Sequence, residues 1–124
     1  MLTEEKTTEA IIGAAIEVHK TLGPGLLEAV YEECLCHELH LRGLSFQRQL
    51  DLPIAYKSVT LQSGLRLDLI VADAVVVEVK AVEKLLPIHE AQLMTYLRLS
   101  GKRVGLLINF GAGVLTDGIV RRVL

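Results

Sequence analysis

The chain lacks several features that would place it in a familiar class. It has no apolar run approaching the roughly 18 residues of a membrane span, and its first six residues, MLTEEK, do not form a signal peptide. We therefore expect a cytoplasmic protein with no membrane partner. The formal net charge is only −2, which excludes a broad basic surface for nucleic acid. Any phosphate-binding site must then be a local cluster.

Cysteine is scarce, and the common catalytic loops are missing. Cys34 and Cys36 are two residues apart on a predicted helix and point to different sides, which fits neither a CxxC site nor a disulfide framework. We expect buried thiols. Cys36 and His40 would supply only half of a tetrahedral zinc site, and no second pair exists. Gly23-Pro24-Gly25 lacks the strand that precedes a dinucleotide loop, and neither a P-loop nor a Gly-x-Ser-x-Gly motif occurs.

The composition is that of a folded domain. With 124 residues, 51% of them hydrophobic, the chain is long enough for a real core, and we expect one domain spanning residues 1–124. No linker, repeat or low-complexity segment interrupts it. The predicted element order is α-α-β-β-β-α-β-β, which indicates an α/β fold with a mixed sheet flanked by helices.

Local signals place these elements. Thr3 is a candidate cap of the first helix, whose inward stripe is predicted at Ile12, Ala15, Ile16 and His19. Gly23-Pro24-Gly25 ends that helix and starts the second, which stops at Gly43. The later elements are a strand over 46–61 interrupted at Pro53, a helix from Pro87 to near Gly101 with Ile88, Ala91, Met94 and Leu97 periodic, and strands over 103–110 and 118–124.

The stretch from Arg66 to Lys80 is the most informative part of the sequence. It is typical of two alternating strands joined by a tight turn at Ala72-Asp73-Ala74. One face is wholly apolar and is formed by the odd-numbered residues Leu67, Leu69, Val71, Val75, Val77 and Val79. If the hairpin folds about Asp73, Asp68 lies opposite Glu78 on the other face, with the side chains roughly 5 Å apart.

Two acids placed in this way repel each other, and a partly covered pair is costly unless a cation lies between them. Oxygen ligands suit Mg²⁺ or Mn²⁺. Lys80 lies on the same face, where its ammonium could hold an attacking water or stabilise charge on a phosphate. The alternative is a solvated strand face with a cross-strand salt bridge, in which Arg66 neutralises an acid.

Further candidate residues lie on two helices. Glu28, in the first turn of the second helix, is either a helix-dipole carboxylate or a further acid directed at the metal. Tyr31, one turn later, is expected in the core with its hydroxyl satisfied. Gln92 and Tyr96 share a helix face with His89. That face is either the polar side of the helix or a support for the metal site, with His89 a structural or substrate contact.

The order and spacing of these residues resemble a known pattern. Asp68, then Glu78-Val79-Lys80, then Gln92-Leu93-Met94-Thr95-Tyr96 is similar to the PD-(D/E)XK nuclease superfamily in its RecB-like form with a Gln-x-x-x-Tyr motif. The run from Gly25 to Tyr31 resembles the signature of the GxxExxY protein family within it. The likeness extends from about residue 12 to 123. Leu67, and not proline, precedes Asp68.

The resemblance implies a restriction-endonuclease-like core, with a four-stranded mixed sheet, and a Mg²⁺-dependent phosphodiesterase centre. By that likeness Asp68, Glu78 and the Val79 carbonyl bind metal, Lys80 positions the water, and Glu28 is the helix acid. Gln92 and Tyr96 form a supporting pair.

Three functions remain open from the sequence. The first is hydrolysis of a phosphodiester in DNA or RNA. The second is a binding or regulatory module that kept the fold and lost turnover. The third is a structural homodimer whose second copy covers apolar surface and sheet edges.

Overall fold

The computed structural model describes residues 4–124, so the predicted cap at Thr3 lies outside the described residues. The helices are α1 (Glu5–Leu22), α2 (Glu28–Leu41) and α3 (Pro87–Ser100). The strands are β1 (Phe46–Asp51), β2 (Ile54–Tyr56), β3 (Val59–Leu61), β4 (Arg66–Val71), β5 (Val75–Lys80), β6 (Val104–Asn109) and β7 (Ile119–Val123), and a short 3₁₀ turn spans Leu115–Gly118. In the described part of the chain, no helix is long and apolar enough to cross a membrane.

Five strands form one mixed sheet in the order β1-β4-β5-β6-β7. Only β5 and β6 pair in parallel, and the other neighbours are antiparallel. A parallel pair needs a crossover connection, which α3 supplies. The predicted mixed sheet with flanking helices is therefore confirmed, with five strands in place of the four that the resemblance implied. Its central strand, β5, carries Glu78 and Lys80.

The predicted β4–β5 hairpin forms with its turn at residues 72–74. The register pairs Val71 with Val75 and Leu69 with Val77, and the Ala74 N–H donates to the Val71 carbonyl at 3.0 Å. Ala72 and Asp73 take the left-handed conformation at φ 54° and 52°. That conformation is unfavourable for residues with a Cβ. The hairpin thus has the register that the alternation of its two arms predicts.

The sheet separates two apolar clusters. The α1 and α2 side chains pack on the face formed by Val71, Val75, Val77 and Val79. Leu93 and Leu97 of α3 pack on the opposite face, against Ile70, Val76 and Leu107. Leu67, predicted on the first face, instead joins the α3 cluster together with Leu52. Of the even-numbered residues of the hairpin, Ile70 and Val76 therefore lie on the face below α3.

The two predicted helix stripes are confirmed only in part: Ala15 of α1 and Leu97 of α3 are buried as predicted, whereas the other buried side chains lie about one position away from the predicted ones. In α1 the buried side chains are Thr8, Ile11, Ala14, Ala15 and Val18. Ile16 is exposed, and His19 turns to bond the Ala112 carbonyl at 2.8 Å. In α3 the buried residues are Leu93 and Leu97, while Ile88 is exposed. Both helices have apolar residues on adjacent stripes, so packing against the neighbouring elements decides which stripe is buried.

The predicted strand over 46–61 is confirmed in its interruption at Pro53, but it forms three strands and not one. The chain forms β1 and then a separate two-stranded sheet of β2 and β3. Pro53 has no N–H to give to a ladder, and Leu52 turns inward, where its N–H donates to the Leu65 carbonyl at 2.9 Å. Lys57, at φ 55°, lies in the turn that joins the two short strands.

The two thiols are free, and Cys36 is buried as predicted. Burial raises the pKa of Cys36 to about 11, which makes it a poor nucleophile. Cys34 is only partly buried.

Candidate metal and active site

Asp68 and Glu78 come together where the ladder between β4 and β5 ends. Beyond the pairing of Leu69 with Val77, side chains take over the bonding between these strands. The Val79 N–H donates to Asp68 Oδ2 at 2.8 Å, and the Asp68 N–H donates to Glu78 Oε1 at 3.3 Å. The two carboxylates therefore lie next to each other.

Glu78 is held in a place that disfavours its charge. It is only 5% exposed, and burial, followed by the negative charge of Asp68, raises the pKa of Glu78 to about 9 from its ordinary value of 4.5. At neutral pH the carboxyl keeps a proton unless another positive charge takes its place. A divalent cation between the two acids would be such a charge.

Lys80 provides a free cation beside this pair. Its side chain is half-buried, and among residues 4–124 it makes no hydrogen bond or ion pair. Arg66, the other candidate partner for an acid, bonds Asp51 at 3.2 Å, with both side chains exposed. The salt bridges of the described residues include neither Asp68 nor Glu78, so the structure does not contain the cross-strand salt bridge of the alternative interpretation.

Glu28 lies near Lys80 and Asp68, although among residues 4–124 it does not join Asp68 and Glu78 in a group that could hold a metal ion by itself. Burial of the carboxyl raises the pKa of Glu28; the positive charge of Lys80 opposes that rise, and the negative charges of Asp68 and then Glu32 add to it. Helix α2 also packs against β5. The N-cap residue of α2 is Leu27, which makes no side-chain capping bond, and Glu28 is the acid of the first turn.

Helix α3, on the face of the sheet opposite α2, carries the three other candidate residues, Tyr96, Gln92 and His89. Burial raises the pKa of Tyr96, and the negative charges of Glu78 and Asp68 raise it further. The Tyr96 hydroxyl is therefore close enough to the two acids to interact with their charge. Gln92 lines a cleft of about 220 Å³ together with Tyr96, Leu65 and Ile88. His89 has a structural part: its Nδ1 accepts the Leu86 N–H at 3.0 Å and caps α3.

The run from Gly25 to Tyr31 holds the start of α2 in place. Tyr31 is fully buried and stacks on Phe110 with the ring centroids 4.8 Å apart. Its hydroxyl donates to the Gly23 carbonyl and accepts the Leu26 N–H at 3.1 Å. Gly25, at φ 106°, takes a conformation open mainly to glycine. The expected core position of Tyr31 is confirmed, and it fixes the loop that precedes Glu28.

Replacing Tyr31 with phenylalanine should lower the free energy of unfolding by about 1–2 kcal/mol, because two bonds to the loop backbone are lost while the stacked ring remains. Urea denaturation measures this change, and faster amide exchange over residues 23–27 should accompany it. Tyr56→Phe is the control, since Tyr56 is 61% exposed and should change stability by less than about 0.5 kcal/mol. Equal effects from both variants would show that the hydroxyl of Tyr31 does not anchor the loop.

Asn109 holds the chain just beyond Lys80. Its buried amide bonds both backbone groups of Val82: Nδ2 donates to the carbonyl at 2.9 Å, and Oδ1 accepts the N–H at 3.0 Å. Oδ1 also accepts the Gly111 N–H at 3.0 Å. A Cβ on Gly111 would lie 2.2 Å from the Val82 carbonyl oxygen, so only glycine allows this approach. An asparagine at the end of a predicted buried strand was the signal available in the sequence for this clamp.

A second group that the sequence analysis missed joins α2 to β1. Glu32 is only 5% exposed and accepts bonds from Arg48 Nε at 2.8 Å and from Gln49 Nε2 at 2.7 Å. The same Gln49 nitrogen lies 3.5 Å from Asp68 Oδ1. Glu32 follows Glu28 by one helical turn, and that spacing was the one signal available in the sequence.

The donors present fit a hard divalent cation. Among residues 4–124, no three His, Cys, Asp or Glu side chains are grouped closely enough to hold a metal ion by themselves. Mg²⁺ does not require such a cage, since it is commonly held by one or two carboxylates and completes its shell with water and substrate phosphate. The adjacent carboxyls of Asp68 and Glu78 are a donor set of that kind.

A helix-flanked mixed sheet whose central hairpin brings two acids and a lysine together defines a nuclease-like α/β protein. The chain matches the PD-(D/E)XK nuclease superfamily over residues 5–123 and belongs to it. No curated protein and no solved structure matches the chain. The predicted superfamily and its restriction-endonuclease-like fold are thus confirmed, and the narrower GxxExxY assignment stays a prediction. Nucleases of this superfamily generally use divalent metals, and membership implies binding of nucleic acid.

Proposed function

We propose that this protein is a metal-dependent nuclease that hydrolyses a phosphodiester of DNA or RNA. The observation that carries the proposal is the adjacency of Asp68 and buried Glu78, with the Lys80 ammonium unpaired beside them. A charge arrangement that is unfavourable in the free protein becomes favourable once a cation and a phosphate are bound. The substrate is a nucleic acid because the superfamily acts on nucleic acids.

In this proposal Asp68 and Glu78 hold Mg²⁺ or Mn²⁺. The Val79 carbonyl is a further donor, because its N–H points to Asp68 and the two backbone groups of a strand residue point the same way. Glu28, at the start of α2, would be a further acid near the cation. When bound, the cation supplies positive charge that acidifies water and offsets charge on the phosphate.

The remaining residues act on water and phosphate. Lys80 donates hydrogen bonds that orient the attacking water and stabilise the charge that develops on the phosphate oxygens. Gln92 has an amide free to bond water or a phosphate oxygen, since it makes no hydrogen bond within residues 4–124. Tyr96 braces Gln92 from the next turn of α3.

The direct test is Mn²⁺ titration by calorimetry together with cleavage of DNA and RNA panels. We expect the wild-type protein to bind Mn²⁺ and cut, and Asp68→Ala to bind the ion at least about 100-fold more weakly, because loss even of a group that orients a metal ligand costs roughly 10- to 100-fold. Asp51→Ala, which removes an exposed acid of the neighbouring strand, should match the wild type. Cleavage that persists in highly purified Asp68→Ala would remove this site from the mechanism.

The second candidate is a binding or regulatory module without turnover. The small set of two adjacent acids favours it, because no larger metal cluster is present in the described part of the chain. Metal binding without cleavage of any nucleic acid would select this candidate.

We also propose that residues 1–124 form one domain and that the protein is cytoplasmic. A separate proposal concerns its assembly: the protein forms a homodimer through an exposed sheet edge. Strands β1 and β7 are the edges of the five-stranded sheet. Light scattering would report the dimer.

A further inference from the structure

We propose that Gln49, held by Glu32, is a positioning residue that fixes the carboxylate of Asp68 at the candidate metal site. The inference rests on the proposed function for its purpose, because a fixed carboxylate matters most when it must hold a cation. The geometry that supports it does not depend on that function.

The first observation is a break in regular strand structure at one residue. The pairing of β1 with β4 covers Arg48 with Leu69 and then Leu50 with Leu67, and it skips Gln49 and Asp68. Gln49 takes φ 53°, a left-handed conformation that is unfavourable for a residue with a Cβ and is kept only where the surroundings impose it. The break turns the Gln49 side chain towards the site.

The second observation is the position of the Gln49 amide between two acids. Its Nε2 lies 2.7 Å from Glu32 Oε1 and 3.5 Å from Asp68 Oδ1. An amide nitrogen carries two protons and can serve both acceptors, whereas the amide oxygen would meet two negative oxygens if the group were reversed. The two acids therefore dictate which end of the amide faces them.

The third observation is the burial of Glu32. The Glu32 carboxylate is only 5% exposed, and burying a charge is costly. A protein is often as stable with apolar residues of similar size in place of a buried ion pair. Here one oxygen bonds Arg48 at 2.8 Å and the other bonds Gln49. Arg48 neutralises the charge, and the oxygen that remains holds the amide in place.

Each carboxylate oxygen of Asp68 has a nitrogen donor next to it. Oδ2 accepts the Val79 N–H at 2.8 Å, and Oδ1 faces Gln49. Removing the amide should free the carboxylate to turn about its last bond. The Val79 N–H then becomes a reporter of that motion in the metal-free protein.

The experiment compares wild-type protein, Gln49→Gly and Glu32→Gln, with Gln47→Ala as the control. Gln47 lies on the same strand, is exposed, and pairs with Ile70 away from the acids. Gln49→Gly is the sharpest variant because glycine adopts a positive φ freely, so any fall in its melting temperature comes from the lost bond to buried Glu32 and not from backbone strain. Three quantities are measured: amide exchange of Val79 by NMR without metal, Mn²⁺ affinity by calorimetry, and kcat and KM on a cleaved nucleic acid.

We expect Gln49→Gly to exchange the Val79 amide several-fold faster and to bind Mn²⁺ about 10- to 100-fold more weakly, as for other groups that orient metal ligands. For kinetics we expect a lower kcat with little change in KM. Glu32→Gln should move each quantity in the same direction by less, and Gln47→Ala should move none.

Unchanged Val79 exchange in both Gln49→Gly and Glu32→Gln would overturn the positioning role, whatever the activity. A wild-type protein that neither binds Mn²⁺ nor cuts would refute the proposed function instead, and the Val79 exchange rates would still decide whether Gln49 fixes Asp68.

Discussion

Replacing Lys80 with alanine is expected to lower kcat for phosphodiester cleavage about 100- to 1000-fold, the cost of removing one group that stabilises transition-state charge. Metal affinity should not weaken, because the variant loses a positive charge close to the acids that would bind the cation. This pattern differs from that of Asp68→Ala, which should lose both affinity and turnover. Calorimetry and single-turnover cleavage on the same preparations separate the two.

Lys84→Ala is the matched control, since Lys84 is an exposed cation four residues further along the chain and should leave kcat unchanged. A Lys80→Ala protein that binds Mn²⁺ poorly but still cuts at saturating metal would show that Lys80 shapes the site and takes no part in the reaction. Equal losses in both lysine variants would point to general attraction of nucleic acid.

The second large effect concerns pH. Glu78 has a folded-state pKa of about 9 against an ordinary value of 4.5, so between these values the folded protein keeps a proton that the unfolded chain has released. The contribution of Glu78 to the free energy of unfolding is therefore most favourable below about pH 4.5. Above that pH the free energy of unfolding falls as the pH rises, by up to about 1.4 kcal/mol per pH unit. Between pH 5 and 8 the loss amounts to roughly 4 kcal/mol at most.

Glu78→Gln should abolish this slope, because a neutral amide of the same shape has no proton to lose. We expect the variant to be more stable than the wild type at pH 8 in EDTA and close to it at pH 5, as measured by urea denaturation. Mg²⁺ should restore the stability of the wild type at pH 8 and leave the variant unchanged. Glu83→Gln, at an exposed position, is the control. Parallel pH profiles for all three proteins would contradict the assignment.

The hairpin was predictable because the chemistry of strands is local. Alternation with a period of two fixes which residues share a face, and a turn centred on Asp73 fixes which residues oppose each other. Those two facts were enough to predict that Asp68 and Glu78 meet. The helix boundaries near Gly43, Pro87 and Gly101 were also predictable, since each depends on the backbone preference of one residue.

Packing between elements was much less predictable. The sequence of α1 contains apolar residues on neighbouring stripes, and only packing against the elements around it, α2 among them, selects Ile11 and Val18 over Ile12 and Ile16. The group of Glu32 and Gln49 was missed for a different reason. It depends on the left-handed backbone of Gln49, which no pattern of side chains announces.

The turn at residues 72–74 sets a limit on how this protein tolerates insertions and deletions. Its length fixes the offset between the two arms, and side chains on a strand alternate sides with every residue. Removal of one residue there would leave two good strands that still pair, yet would carry Glu78 to the far side of the sheet from Asp68. The same shift would also turn Val75, Val77 and Val79 away from the core that they form with α1 and α2, so the length of this turn matters for packing as well as for the meeting of the two acids.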